Sequence, residues 1–403
     1  MVPEPIRDAE GVARLAETAR DAGRLALDFE FLWERTYRPL PCLAQVAVGE
    51  RVSIVDPIDG APLEPLAALV ADPEVVTVMH APSADLTLLA LGYDVRPAAL
   101  VDAQLTAGFV GLGAGQSLST LVERVLRVRL AKTESYTDWS RRPLSEAQLR
   151  YAADDVRYLL PLADALARRA EERGRAEWVA EEHRRRYGLD ARWATDPDAA
   201  WRRIKGQGRL GPAERAVLAR IASWREREAM RRDRPVQWVL PDRTAIELAR
   251  RRPASGEALR AERGVPDRLP PAEADALAAA IREGAGDPPI SLPPPPPPDI
   301  QARLEVLGPL AQVLLAARAA AEGLAPTLVA TRDEVTAYVA ATLDGDAGGP
   351  ESARGGGAAE LPLGRGWRRD LAGDALARLA RGELALAPTA GAPYLEEIVR
   401  VPG

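Results

Sequence analysis

The stretch Leu25–Phe31, LALDFEF, alternates apolar residues with two carboxylates, Asp28 and Glu30. The alternation is that of a β-strand. Residues i and i+2 of a strand share a face, so Asp28 and Glu30 project side by side. Adjacent carboxylates repel unless positive charge lies between them or water surrounds both. Two readings follow: a divalent cation held by the pair, or a strand edge that exposes both to solvent. The choice depends on which other residues the chain brings to the same place.

Composition limits those partners. The 403 residues contain one cysteine, Cys42, and two histidines, His80 and His183. No intrachain disulfide or cysteine zinc cluster can form, and histidine-based catalysis has little to draw on. Neither lysine, Lys132 or Lys205, follows a GxxxxG pattern, so there is no phosphate loop and no nucleotide cofactor is expected. The N-terminal MVPEPIRDAEG lacks the apolar segment of a signal peptide. No uninterrupted apolar run reaches the length of a membrane span. A cytoplasmic protein, monomeric and without membrane contact, is the expectation. The formal charge of −6 conceals a basic stretch: Trp201–Pro235 carries 11 Arg and Lys against 4 Asp and Glu. It fits either a solvated helix face or an attraction for phosphates.

The first half mixes elements. RLALDFEF, CLAQVAVG and RVSIVDP read as closely spaced antiparallel strands. A helical stretch, the apolar run VVTVMHA, the helix SADLTLLALG and the short run ALVDAQL follow. In SADLTLLALG, Ser83 suits an N-cap and Gly92 a stop. The order β-β-β-α-β-α-β predicts a mixed sheet with helices packed on it. From Ser145 the pattern is helical, with Leu149, Val156 and Leu160 at helical spacing. In GPAERAVLARIASWRERE, Val217, Leu218, Ile221 and Trp224 share one face. Trp224 and Trp238 are expected in a core. Pro293–Pro298 should form a stiff spacer. Beyond it lies more helix, interrupted by a flexible stretch at 345–357.

Two further segments offer carboxylates. In HAPSADLTLL, Asp85 falls in the first turn of a helix after a β-run, which suits either the helix dipole or a functional edge. His80 reads as a supporting residue. In RYAADDVRYLL, Tyr151 and Asp155 are four apart and share a helix face, where a hydroxyl and a carboxylate can hold a water between them. Each signal is weak alone. Together, LDFEF, HAPSADL and YAADDVRYL in that order resemble the DEDD family of 3′–5′ exonucleases. The tyrosine subclass places Tyr four residues before the last Asp, as here; Arg150 stands where the histidine subclass has its histidine. TDWSRRPLSEAQLRYAADDVRYL, RTYRPLPCLAQVAVG and VDAQLTAGFVG narrow the resemblance to the ribonuclease D family over residues 20–235. LARIASWREREAMRRDRPVQWVLPDRTAIELARRRP resembles an HRDC module, and TLVATRDEV with GWRRDL resembles a second, more degenerate one.

The resemblance implies an α/β N-terminal domain over 1–190, with a ribonuclease H-like mixed sheet flanked by helices. All-α HRDC-type domains would follow at 205–285 and 301–403, separated by a proline-rich linker at 286–300. It implies two divalent ions, Mg²⁺ or Mn²⁺, bound by Asp28, Glu30, Asp85 and Asp155. Tyr151 would orient the attacking water, and nucleoside 5′-monophosphates would leave from RNA 3′ ends. Transfer RNA precursors, or other structured RNA with a free 3′ end, would be the substrate. Phe29 stands where the family usually has Thr, and KTESYTDWS differs from the common family form; both bear on substrate fit. Phe29, His80, Arg141 and Arg142 are candidate substrate contacts, with pairing of the two arginines to acids such as Glu146 as the other reading. Two alternatives stay open: a DNA exonuclease of the same superfamily, and a catalytically inactive RNA-binding scaffold.

Overall fold

The structure is a computed structural model that describes residues 3–130, 137–188, 191–265, 269–346, 357–391 and 395–400. The departure at KTESYTDWS lies partly, and the glycine-rich stretch at 345–357 mostly, outside the described residues. Helix α1 (Ala9–Ala22), capped by the Asp8 side chain on the Gly11 N–H, ends at Gly23 in the left-handed region (φ 63°). That turn, which glycine makes without strain, delivers the chain into β1 (Arg24–Leu32). Sequence reading did not anticipate α1.

Strands β2 (Leu40–Val48), β3 (Arg51–Val55), β4 (Val76–Met79) and β5 (Leu100–Asp102) complete a five-stranded sheet of order β3-β2-β1-β4-β5. The β1–β2 and β2–β3 pairs are antiparallel, and β1–β4 and β4–β5 are parallel. The catalytic candidate strand is therefore central. Helices α2 (Glu64–Val70), α3 (Ser83–Tyr93), α4 (Ala103–Phe109), α5 (Leu118–Leu126), α6 (Glu146–Arg157), α7 (Leu159–Glu172) and α8 (Ala176–Tyr187) surround it. Alternation divides β1: Leu25, Leu27 and Phe29 join one apolar cluster with α1, α2 and α3, while Ala26 joins another with α7. Helix α3 begins after Pro82, not with a Ser83 cap, and runs past Gly92 to Asp94 in the left-handed region.

The next unit comprises α9 (Pro212–Arg232), α10 (Val236–Val239), α11 (Asp242–Arg251), α12 (Gly256–Arg260) and α13 (Pro271–Gly286) around its own core, with Val217, Leu218 and Ile221 inside. Trp224 packs against that core, but Trp238 is 56% exposed, contrary to expectation. The basic run is largely consumed internally. Arg215 and Arg225 are buried, and Arg220, Arg225, Arg227, Arg231 and Arg232 pair with Asp287, Asp242, Asp198, Glu228 and Glu273.

Exposed prolines lead into α14 (Pro298–Ala321), followed by α15 (Pro326–Val329), α16 (Arg332–Asp346), α17 (Gly366–Arg368) and α18 (Asp374–Arg381). This last part is not all helical. It closes with an antiparallel hairpin, β6 (Leu384–Pro388) and β7 (Leu395–Val399). Nor is it a detached module, because Ile300, Leu314, Leu328, Tyr338 and Trp367 share one core with Leu27, Leu86 and Phe109 of the first domain. Trp367 meets Phe109 edge-on at 5.1 Å and stacks on Trp178 at 5.3 Å. Beside it, Arg368 donates to Glu182 (2.6 Å), both fully enclosed. Helix α14 is long and apolar enough, by length and composition, to cross a membrane, although charged residues and Pro309 interrupt its apolar sequence. It instead buries Leu314 and Leu315 in that shared core and leaves Val306, Leu310 and Val313 exposed.

Candidate active site

Four carboxylates meet at the C-terminal half of β1. Asp28, Glu30 and Asp155 each offer an oxygen, and these oxygens lie within 4.8 Å of one another. Asp28 and Glu30 come from the central strand. Asp155 comes from α6, which packs over β1, β2 and β3. A reciprocal cap starts that helix: the Gln148 N–H donates to Ser145 Oγ, and the Ser145 N–H donates to Gln148 Oε1. Such a cap sets the helix phase from its first turn, and Tyr151 and Asp155 then fall on the site-facing side. The Tyr151 ring lies 6.1 Å from that of buried Trp139.

Asp85, in the first turn of α3 and 7% exposed, stands outside that oxygen triad but close enough for its charge to act on Asp28 and Glu30. The turn before it places Ala81 in the left-handed region (φ 53°), a conformation uncommon outside glycine and found at constrained sites. The Ala81 N–H donates to Asp102 Oδ1 (2.9 Å), and Tyr187 Oη donates to Asp102 Oδ2 (2.7 Å). Asp102 thus ties the turn carrying Asp85 to β5 and α8. Sequence reasoning quoted VDAQL but did not single out Asp102; its position at the end of a β-run and at a helix cap was the available signal.

The electrostatics depend on what is missing from each carboxylate's surroundings. Burial, with the charges of Asp85, Asp155 and Glu30, raises Asp28 far above the carboxylate range. Burial, then Asp155 and Asp85, pushes Glu30 up to about 8. Burial is also the main cause that takes Asp85 and Asp155 to about 7. The backbone of Phe29 partly offsets this at Asp28 and Asp85. Glu182 makes the contrast: burial acts on it too, yet Arg185, Arg368 and Arg186 overcome it and hold the carboxyl at about 2. Among the described residues no such cation offsets the shifts of the four. A cluster of half-buried, mutually repelling oxygens without a counter-charge among the described residues fits a hard divalent cation, and among those residues no thiol or imidazole joins the oxygen triad.

The remaining candidates are placed differently. Phe29 is 4% exposed, with its side chain in the core; the site meets its backbone, not its ring. His80 Nε2 donates to the Gln116 carbonyl (3.0 Å), which Gln104 Nε2 also meets. It braces the turn. Arg142 is drawn inward: its Nε donates to Asp56 Oδ2 (2.6 Å), and Nη1 and Nη2 donate to the Trp139 and Cys42 carbonyls (2.8 Å each). A guanidinium paired with a fully buried carboxylate is not available to substrate, so Arg142 is corrected to a structural residue. Arg141 is exposed and pairs with Asp138, while Glu146 pairs with Arg150.

The RTYRP stretch that follows β1 has a role that the sequence did not indicate. Tyr37 Oη donates to Glu226 Oε1 (2.7 Å), and the Tyr37 and Arg38 N–H groups donate to Asp233 Oδ1. Arg38 also reaches the Met230 carbonyl (2.9 Å). The loop leaving the carboxylate strand is therefore the seat of α9.

Comparison with known proteins agrees with this architecture. The 3′–5′ exonuclease family matches residues 3–171 and the HRDC domain residues 214–277. Ribonuclease D of Acidiphilium cryptum (strain JF-5) is 35% identical over 390 residues, 96% of this chain and 95% of that one. Ribonuclease D of Pseudomonas paraeruginosa (strain DSM 24068 / PA7) is 36% identical over 376 residues, 92% and 96% of the two chains. The crystal structure of Escherichia coli RNase D, an exoribonuclease involved in structured RNA processing, aligns with a TM-score of 0.76 at 28% identity, over 95% of this chain and 99% of that one.

Proposed function

This chain belongs to the ribonuclease D family and is a 3′–5′ exoribonuclease, and we propose that Asp28, Glu30, Asp85 and Asp155 form its hydrolytic centre around two divalent ions, Mg²⁺ or Mn²⁺. The observation that carries this reading is the convergence of Asp28, Glu30 and Asp155 oxygens within 4.8 Å, half-buried and, among the described residues, without a cationic side chain to balance them.

Divalent ions held there would supply positive charge to the phosphate oxygens and would acidify a water, so a histidine base would not be needed. Asp28, Glu30 and Asp155 would hold the ion on the nucleophile side, and Asp28 with Asp85 the second. Tyr151, one helical turn before Asp155 and braced by Trp139, orients the attacking water. The Asp102-braced turn before α3 would hold Asp85 in place for this role. Arg141, exposed and paired with Asp138, would meet substrate phosphate by exchanging that partner. Products are nucleoside 5′-monophosphates.

The E. coli relative's work on structured RNA suggests substrates of the same kind here, with tRNA precursors first among them. The α9–α13 unit would add sequence-independent attraction for phosphates. A monomer acting in the cytoplasm completes the reading. The test is hydrolysis of end-labelled RNA with Mn²⁺ or Mg²⁺, with and without EDTA, beside a matched DNA. Mononucleotide release from RNA is expected, abolished by EDTA and by Asp28→Asn while RNA binding persists. Turnover that resists EDTA, or near-wild-type activity of Asp28→Asn, would refute the metal centre, and preference for DNA would refute the substrate class.

A further inference from the structure

Gln45 is fully enclosed at the middle of β2, yet among the described residues neither its Nε2 nor its Oε1 has a hydrogen-bond partner. Its position gives this meaning. In the β1–β2 ladder, Gln45 is the direct partner of Asp28, and directly opposed residues share a face, with Cβ atoms ~5 Å apart. Its other neighbours on that face are apolar. Leu43 stands opposite Glu30 and Ile54 is paired with Gln45 from β3; both pack against Ala152 and Ala153 of α6. Ala47, two residues on, is buried as well. An enclosed carboxamide without a partner is unfavourable relative to an apolar side chain of the same shape. The fold alone would therefore be served better by leucine or methionine at this position. The polar group next to it is the carboxylate of Asp28. Thr77 Oγ1 is the comparable orphan of the neighbouring strand β4. It is paired with Leu25, on the opposite face of the sheet.

We propose that Gln45 is a positioning residue of the metal centre, its side-chain amide donating to an Asp28 carboxylate oxygen in the metal-loaded enzyme. This rests on the metal reading above. The amide fixes the rotation of Asp28, the carboxylate assigned to both ions, and leaves the outward lone pairs for them. Groups that orient metal ligands in this way typically account for ~10–100-fold in metal affinity. Gln45 touches neither substrate nor water in this scheme and acts through Asp28.

The test compares wild type, Gln45→Met and Asp28→Asn by calorimetric titration with Mn²⁺, with thermal unfolding followed in the presence and absence of the metal. Gln45→Met is expected to weaken Mn²⁺ binding by about 10-fold or more. Its metal-free unfolding midpoint should be unchanged or raised, because the orphaned amide is gone. The Mn²⁺ concentration for half-maximal hydrolysis should rise by the same factor, with turnover at saturating Mn²⁺ largely retained. If Asp28→Asn loses Mn²⁺ while Gln45→Met binds it like wild type, the role of Gln45 is overturned and the metal centre stands. If wild type binds no Mn²⁺, both are overturned. Should Gln45→Met fail to fold, Gln45→Leu takes its place. A second measurement uses the folded protein labelled with ¹⁵N-glutamine: the Gln45 side-chain amide should shift and exchange more slowly on addition of Mg²⁺, and an unchanged signal would overturn the proposal.

Discussion

Metal affinity should climb steeply with pH, and the site's electrostatics set the slope. In the metal-free protein Glu30 is raised to about 8, and Asp85 and Asp155 to about 7, in each case chiefly by burial. Asp28 is raised as well, by burial and then by its acidic neighbours. Near pH 6 most of these groups hold protons, and a cation must displace them to bind. Each proton displaced makes the apparent dissociation constant fall about 10-fold per pH unit. With at least one proton displaced, affinity for Mn²⁺ should rise about 100-fold or more between pH 6 and 8 and level off above the highest of these values. Folding stability without metal runs the other way. These carboxyls titrate higher in the folded chain than in the unfolded one, so the folded state binds the extra protons. Their contribution is complete below the unfolded carboxylate range and is lost as pH rises through about 7 to 8. Metal-free protein should thus unfold at lower temperature as pH rises across this window, and Mn²⁺ should restore it most at the alkaline end. Calorimetric titration in two buffers of different ionisation enthalpy counts the protons directly. Affinity independent of pH, or no proton release near pH 6, would refute the assignment of a buried, uncompensated acidic cluster.

Removing Arg142 should be far more harmful than removing its neighbour. Arg142→Ala leaves Asp56, whose side chain is 1% exposed, without its cation, for a loss of ~3–5 kcal/mol in urea unfolding. Arg141→Ala, at an exposed pair, should cost under ~1 kcal/mol; equal effects would contradict the placement of the two. Trp367→Ala should destabilise the exonuclease domain itself by ~3–5 kcal/mol, because its ring fills the joint with Phe109 and Trp178. Truncation before Pro298 should then expose apolar core, and a fully stable truncated protein would disprove the shared core. RNA affinity should fall with salt less steeply than the 11 basic residues of 201–235 suggest. Arg202, Arg203, Lys205, Arg209 and Arg234 make no salt bridge among the described residues, so the share of this stretch in the logarithmic slope should not exceed roughly −3.5 on single-stranded RNA. Substituting Arg220 and Arg227, already paired with Asp287 and Asp198, should leave that slope unchanged.

Much of the site was legible because its spacing is local. A period of two put Asp28 and Glu30 on one face of a strand, and four residues put Tyr151 and Asp155 on one face of a helix; no tertiary knowledge enters either statement. The resemblance of three motifs then supplied the family and the order in which they meet. The sequence by itself thus determined the strands and helices that carry the acidic residues, most of the residues to watch and the class of chemistry. Tertiary structure decided which charged groups are free to act. Arg142 looked available until Asp56, 86 positions away, enclosed it. The basic run looked like a phosphate surface until Asp198, Glu273 and Asp287 paired with it. Residues after the proline stretch looked like a separate module until Trp367 reached Phe109. The physical reason is the same each time: periodicity is a property of neighbouring residues, whereas burial and charge pairing depend on groups that only the folded chain brings into contact.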